Sequence, residues 1–440
     1  MPVPPPARPH QKGLAPAFFV LGLASGLFLA LVIDRVAQRF FDTDMELIRA
    51  VHRLAQDEFV REVDTDRLTD DALRGLVGGL DRYSRFYGPE DIARLDRETT
   101  GEFRGIGVIF RRSRIGQVLF PYPDSPADAA GLEVGDLILS VDGVEVAGMD
   151  QEQFSKALTG GGDKIEIRVR SLGEEERELF LKPSQVIDPT IRHARMLDEE
   201  RGIGYLAVLS FSHRTPAEFD RAIAGLESVG LEALIVDLRS NPGGVLDSAV
   251  QLANRFIDEG TLVATQTRRS TRVTEAEKNR AHLIDLPLVV LIDSGSASAS
   301  EVLAGALQDH CVAALVGEST YGKGTVQTLE RFPDDRAIVK ITTATYFTPS
   351  GRSIERDPAQ PGERGIPPDL LVEIPENERN RIHAYLYTYS PPPSMMAKLR
   401  AWEERESLEL IANHPDDRQL EAALALLLRD LPTIEADTLR

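Results

Sequence analysis

The chain has 440 residues, 42% hydrophobic and 27% charged. Those are globular proportions on a length that calls for roughly two to four domains. A formal net charge of −20 repels phosphate backbones and argues against a nucleic-acid partner. The single cysteine, Cys311, excludes an intrachain disulfide and a cysteine-based metal site.

The N-terminus M-P-V-P-P-P-A-R-P-H-Q-K is proline-rich and carries Arg8 and Lys12. From Gly13 to Ile33 no residue is charged, which is about the length needed to cross a bilayer as a helix. The apolar core of a cleaved signal peptide is usually shorter, about 7–15 residues, and a buried globular helix would not be apolar on every face. Residues 14–33 are therefore expected to be a transmembrane anchor, or else a signal, behind a tail at 1–13. Basic residues flank both ends (Arg8 and Lys12; Arg35 and Arg39), so the positive-inside rule is nearly silent. The expectation is a short tail inside and the bulk of the chain outside the cytoplasm.

Residues 44–98 read as a helical region, with Met45, Ile48, Val51, Leu54 and Ala55 at helical spacing. Gly75, Gly78 and Gly79 loosen the pattern before L-D-R-Y-S-R-F-Y-G-P, an aromatic, turn-rich stretch that reads as a docking loop or a plain helix end. Residues 99–186 change character. Short β-rich runs (G-V-I-F, Q-V-L-F, D-L-I-L-S-V, K-I-E-I-R-V-R) alternate with turns such as Asp142-Gly143 and two short helices, one ending at Gly131 and one at D-Q-E-Q-F-S-K-A-L. From 202 to 347 strands and helices alternate. E-A-L-I-V-D-L-R and P-L-V-V-L-I-D are near-continuous apolar strands, as expected when both faces of a sheet are covered. The tail, 375–440, has a Pro391-Pro392-Pro393 breaker and amphipathic stretches at 396–411 and 417–430.

Three loops of the alternating region carry chemistry. D-L-R-S-N-P-G-G (237–244) puts two glycines between a buried strand and a helix, a turn that lets backbone N–H groups approach a ligand oxygen. I-D-S-G-S-A-S-A-S-E (292–301) opens an apolar helix. Ser298-x-x-Glu301 is a capping-box spacing, yet a serine at a helix N-terminus also has N–H groups beside it that can stabilise an oxyanion. Geometry does not choose among Ser294, Ser296, Ser298 and Ser300. S-T-Y-G-K-G-T-V-Q (319–327) places Lys323 between two glycines, and Gly317-x4-Gly322-Lys323-Gly324 fails the last position of a P-loop. A lysine in an apolar pocket has its pKa lowered and can act as a base, and Gln327 is within reach to orient it. His310, about 18 Å along a straight helix from Ser298, cannot serve that serine, whereas His193, His213 and His282 stay open.

S-G-S-A-S-A-S-E, then A-G-A-L-Q-D, Y-G-K-G-T-V-Q, T-A-T-Y-F-T-P-S-G-R-S-I and G-I-P-P-D, together with D-L-R-S-N-P-G-G, resemble the carboxyl-terminal processing (tail-specific) serine proteases in order across residues 100–372. The resemblance implies Ser298 as nucleophile, Lys323 as base, Gln327 supporting the lysine, and the backbone N–H groups of Gly244 and Ala299 as oxyanion hole. No H-E-x-x-H or comparable metal pattern is present in the sequence, and no cofactor or metal is expected. Residues 99–186 resemble a PDZ domain: E-F-R-G-I-G-V-I-F matches its carboxylate-binding loop, so Gly105, Ile106, Gly107 and Val108 would hold a substrate's terminal carboxylate while the substrate adds a strand to the sheet edge.

The expected architecture is an α/β protease core of crotonase/Clp-like ββα layers at 187–374 with an inserted PDZ domain, helical N- and C-terminal regions and one N-terminal transmembrane helix. The expected function is a membrane-anchored serine endopeptidase that cleaves protein substrates near exposed C-termini, with a homodimer through the amphipathic helical ends. A pure binder on the same fold would not need Ser298, Lys323 and Gln327 together. A crotonase-like acyl transferase would leave the PDZ-like region without a use.

Overall fold

The computed structural model describes residues 44–430, apart from 112, 160–162, 172, 357–364, 389–390, 392 and 409–414. The chain divides into two units, Met1–Leu80 and Asp81–Arg440. In the first, residues 44–58 and Thr65–Gly78 are helices. Asp64 caps the second by accepting from the Arg67 N–H at 3.1 Å. The pair is tied by His52 Nε2 and Thr69 Oγ1 at 3.1 Å and by Gln56 donating to Thr65 Oγ1 at 2.9 Å. Met45, Ile48, Val51 and Leu54 are exposed. Among the described residues no helix is long and apolar enough to cross a membrane; the run 14–33 lies outside them.

The second unit is built on a six-stranded sheet in the order Ile191–Asp198, Ile203–Val208, Ala233–Asp237, Leu288–Ile292, Ala313–Gly317, Leu370–Leu371. The first pair is antiparallel and the rest are parallel. Successive side chains of a strand face opposite ways, and here each face has its own helical layer. Leu234, Val236, Leu288 and Val290 join a core with helices Thr215–Glu227, Leu246–Phe256 and Ala299–Asp309. Ala233, Ile235, Val289 and Leu291 join another with helices Glu376–Thr388 and Arg418–Asp430. That double cover is why these strands read as unbroken apolar runs.

A five-stranded antiparallel sheet completes the larger region: Arg85–Tyr87, Ile338–Phe347, Thr261–Thr267 and Thr271–Glu275 in order, with Thr325–Arg331 also paired to Ile338–Phe347. Within the stretch read as helical, 44–98, residues 85–87 are thus a strand of this sheet, registered on Ile338, Val339 and Lys340. The Thr261–Glu275 hairpin and the strand Thr325–Arg331 are half-exposed and polar, and burial gives such strands little apolar periodicity to read.

Residues 99–187 form the small domain. Its sheets pair Glu102–Gly105 with Ser184–Ile187, Val108–Phe110 with Val118–Pro121, and Leu137–Val141 with Val144–Glu145 and Ile165–Arg170, which carries Glu176–Leu181. Ile106, Ile138, Phe154, Leu158 and Ile167 fill its core.

The tail holds both regions. Helix Pro393–Arg405 lays Leu399 and Trp402 on Leu119 and Phe120 of the small domain, and the Trp402 ring lies against Gly135. Farther on, Asp417 enters the core of the larger region. Arg239, 2% exposed, pairs with Asp237 at 2.6 Å and with Asp417 at 2.7 Å. Removing one partner of a buried ion pair leaves an uncompensated charge. Arg239→Met is expected to destabilise the protein by about 3–5 kcal/mol, read as a lower urea midpoint in equilibrium unfolding.

Candidate active site

The serine-rich stretch resolves through burial. Ser296 and Ser300 are fully buried, and their hydroxyls donate to the carbonyls of Leu238 at 2.8 Å and Asn241 at 3.0 Å. Ser294 is exposed on the preceding turn. Ser298 lines a cavity of about 900 Å³. It is the N-cap of helix Ala299–Asp309 and sits at φ 57°, ψ −113°, a backbone position that non-glycine residues adopt at a cost of about 1–3 kcal/mol. The capping box read from the spacing is present, and the Glu301 carboxylate accepts from the Ser298 N–H at 2.8 Å.

The D-L-R-S-N-P-G-G turn packs directly against this serine. Asn241 shapes it: its Oδ1 accepts from Gly243 N–H at 2.9 Å, its Nδ2 donates to Val208 O at 2.7 Å, and its carbonyl accepts from Ala297 N–H at 2.9 Å. Gly243 and Gly244 have φ of 95° and 146°. A Cβ on Gly243 would stand 2.8 Å from Ser298 Cβ, and one on Gly244 would stand 2.1 Å from Phe211 O, so neither position admits a side chain. Among the described residues, neither Gly244 N–H nor Ala299 N–H donates to a protein acceptor. The glycine turn and the helix start therefore present unpaired amides beside Ser298.

Lys323 lines the same cavity. Its loop is held by the carboxylate that holds the serine: Glu301 accepts from Lys323 N–H at 2.8 Å, Gly322 N–H at 2.6 Å and Thr320 Oγ1 at 2.6 Å. Burial, and secondarily the field of Lys340, bring the Lys323 amine down to about 8, against the opposing pull of Glu301 and Glu355. Lys340 also lines the cavity, and its own pKa is lowered by burial. Tyr346, given no role from sequence, stands between the two loops. Its hydroxyl donates to the Lys323 carbonyl. Burial holds this phenol well above its usual range, while the nearby Ser298 hydroxyl pulls the other way. Its signal was the aromatic in T-A-T-Y-F, which only the topology brings to the site.

Gln327 lines the cavity, with its amide donating to Thr325 Oγ1 at 3.0 Å and Thr342 Oγ1 at 3.3 Å. His213 lines it too. His193 stacks on Tyr385 with centroids 4.5 Å apart, and His310 meets Thr261 O at 2.7 Å. The loop 105–108 lies outside this cavity. Gly107, at φ 75°, offers its carbonyl to Tyr122 N–H at 2.8 Å and Ser125 Oγ at 3.1 Å, and Ile106 offers its carbonyl to Ala127 N–H at 2.9 Å. The amides of Ile106 and Gly107 donate to no acceptor among the described residues. Strand Val108–Phe110 pairs on one side with Val118–Pro121, and among the described strands it has no other neighbour.

Residues 202–372 match the sequence profile of peptidase family S41, and residues 118–171 match that of a PDZ domain. The chain is 32% identical over 375 residues to the carboxy-terminal-processing protease of Bartonella bacilliformis, covering 82% of this chain and 84% of that one. It belongs to the carboxy-terminal processing proteases of family S41. It is also 35% identical over 311 residues to the carboxyl-terminal-processing protease of Synechocystis, covering 69% of this chain and 71% of the other. Among solved structures, the photosystem II D1 C-terminal processing protease aligns at 29% identity with a TM-score of 0.42, covering 75% of this chain and 93% of its own. The protein is accordingly a serine-type peptidase with a PDZ domain.

In this peptidase Glu301 sets the distance between two loops, and misplacement of a reacting group by about 1 Å can cost on the order of 10²-fold in rate. Glu301→Gln replaces one acceptor oxygen by a donor that faces N–H groups. Peptidase kcat is expected to fall about a hundredfold with far-UV circular dichroism unchanged. Lys340→Gln removes a positive neighbour that disfavours the charged form of Lys323. The Lys323 amine is expected to titrate at higher pH in this variant, measured by NMR of the protein carrying 13C-labelled lysine.

Proposed function

We propose that this peptidase cleaves protein chains near their C-termini with Ser298 as nucleophile and Lys323 as general base. The Ser298 O–H bond breaks, its oxygen attacks the peptide carbonyl carbon, and the proton passes to the neutral Lys323 amine. Negative charge on the carbonyl oxygen falls between the N–H groups of Gly244 and Ala299. Lys323 then protonates the leaving amine, and its regained basicity activates the water that releases the acyl-enzyme. Gln327, which lines the same cavity, is read as the lysine's supporting group. The observation that carries this reading is the shared carboxylate: Glu301 binds the backbone of both Ser298 and Lys323, two residues that line one cavity with Gly244.

The PDZ domain is read as the receptor for the substrate's end. The unpaired amides at Ile106 and Gly107 suit a terminal carboxylate, with Gly105 and Val108 framing the loop, and the open edge of Val108–Phe110 suits an added strand. The uncharged run 14–33 is proposed to anchor the enzyme in a membrane with the protease outside the cytoplasm, and the exposed stripe Met45, Ile48, Val51 and Leu54 to seat a second copy.

The test is a peptide with a flexible C-terminal tail. Wild type is expected to cut it, with kcat/KM rising as pH passes through about 8, where a lysine of that pKa becomes neutral. Ser298→Ala and Lys323→Ala are each expected to lose at least about a thousandfold in kcat. Amidating the peptide's C-terminus is expected to raise KM about tenfold or more. Undiminished cleavage by either alanine variant would remove that residue from the mechanism. Loss of cleavage in His213→Ala with Lys323→Ala intact would move the base to His213.

A further inference from the structure

The stretch L-D-R-Y-S-R-F-Y-G-P, which reads from sequence as a docking loop or a plain helix end, places Tyr83 beside Lys323. Its first residues are fixed: Asp81 Oδ1 accepts from Tyr83 and Ser84 N–H, each at 2.7 Å, and Ser84 Oγ accepts from Thr342 N–H at 3.1 Å. The Lys323 amine stands 5.1 Å from the centroid of the Tyr83 ring. The Arg82 guanidinium lies on the same ring at 4.7 Å and reaches Glu355 at 3.4 Å, while Glu355 accepts from Gly324 N–H at 2.7 Å. Lys323 makes no ion pair among the described residues. Its neighbours in charge are Glu301 and Glu355, which act through space, and Lys340, which opposes them; Arg82 and Tyr321 complete the groups around Tyr83.

We propose that Tyr83 is a positioning residue for the base: its π face steers the Lys323 side chain and stabilises the ammonium formed when Lys323 takes the Ser298 proton. The inference rests on the Ser298–Lys323 reading above. An ion-paired carboxylate would hold the lysine charged at rest and so remove its basicity. An aromatic quadrupole attracts the cation weakly and the neutral amine hardly at all, so its help arrives when the proton does. The ring itself is a neutral phenol throughout, because burial, with Glu355 behind it, pushes Tyr83 up to about 12.

Tyr83→Leu keeps the apolar cover and removes the quadrupole. With a tailed peptide, kcat is expected to fall about tenfold and the rising limb of kcat against pH to move acid by roughly one pH unit, with KM unchanged within about twofold. Tyr83→Phe, which keeps the ring, is expected to recover most of that loss. Wild-type kcat and pH limb in Tyr83→Leu would overturn the proposal, as would Tyr83→Phe being as impaired as Tyr83→Leu. A second measurement does not depend on cleavage or on the leucine variant's folding. In the full chain carrying Ser298→Ala, with 13C-labelled lysine, the ring is expected to displace the Lys323 side-chain proton resonances upfield. Addition of Tyr83→Phe should keep that displacement, and Tyr83→Leu or Tyr83→Met should abolish it. No upfield displacement in the Ser298→Ala protein would overturn the contact. Cleavage absent from wild type, with the displacement present, would overturn the peptidase chemistry and leave the contact standing.

Discussion

One buried carboxylate organises the site. Glu301 is fully buried, and burial pushes its pKa up, yet hydrogen bonds from Ser298 N–H, Gly322 N–H, Lys323 N–H and Thr320 Oγ1 pull the other way. A carboxylate accepts such bonds at both oxygens, and each is charge-assisted and short. The four donors come from two segments about twenty residues apart in sequence, so the carboxylate fixes serine loop and lysine loop against each other. Thr320 extends the hold, accepting from Ile366 N–H at 2.7 Å, which draws G-I-P-P-D onto the same point. A capping box, ordinarily a device worth about 1 kcal/mol at a helix end, here also ties the Ser298 and Lys323 loops together.

That double use explains how much was legible in the sequence. The α/β alternation was readable because each strand of the central sheet is covered on both faces, which leaves runs such as A-L-I-V-D and L-V-V-L-I. The four serines could not be ranked from pattern, since Ser296, Ser298 and Ser300 all sit near the first turn. What separates them is the turn of Asn241, whose carbonyl takes the Ser300 hydroxyl, and the Leu238 carbonyl, which takes that of Ser296. Both acceptors lie nearly sixty residues upstream, beyond any local pattern. Tyr83 was invisible as a site residue for the same reason: Arg85–Tyr87 pairs with Ile338–Phe347 across some 250 positions, whereas Tyr346 reaches the lysine loop through the pairing of Ile338–Phe347 with Thr325–Arg331, its N–H donating to Gly324 O at 2.9 Å.

The tail shows a different kind of illegibility. Its amphipathic pattern predicted helices, but nothing local says what they cover. Asp417 and Gln419 meet Arg239, the third residue of D-L-R-S-N-P-G-G. The guanidinium points down into the protease core while Gly243 and Gly244, a few residues on, turn up to the cavity. Trp402 meanwhile packs on the PDZ domain. A segment without a transferable motif is thus in contact with both the foundation of the glycine turn and the PDZ domain.

A chain of net charge −20 is an adverse place for a neutral lysine, because a negative field favours the ammonium. Screening limits the reach of that field to about 8 Å at physiological ionic strength, so what matters is the local shell. There, two carboxylates that would raise the amine's pKa have been given other work: Glu301 is saturated by N–H and O–H donors, and Glu355 faces Gly324 N–H and Arg82. Among the described residues lining the cavity, the charge that acts on the amine is positive, Lys340. The contact left on the amine is an aromatic face, which tolerates both protonation states. Burial of the amine, with Lys340 beside it, and not the overall balance of charge, is what lowers the Lys323 pKa, against two carboxylates already engaged by other donors.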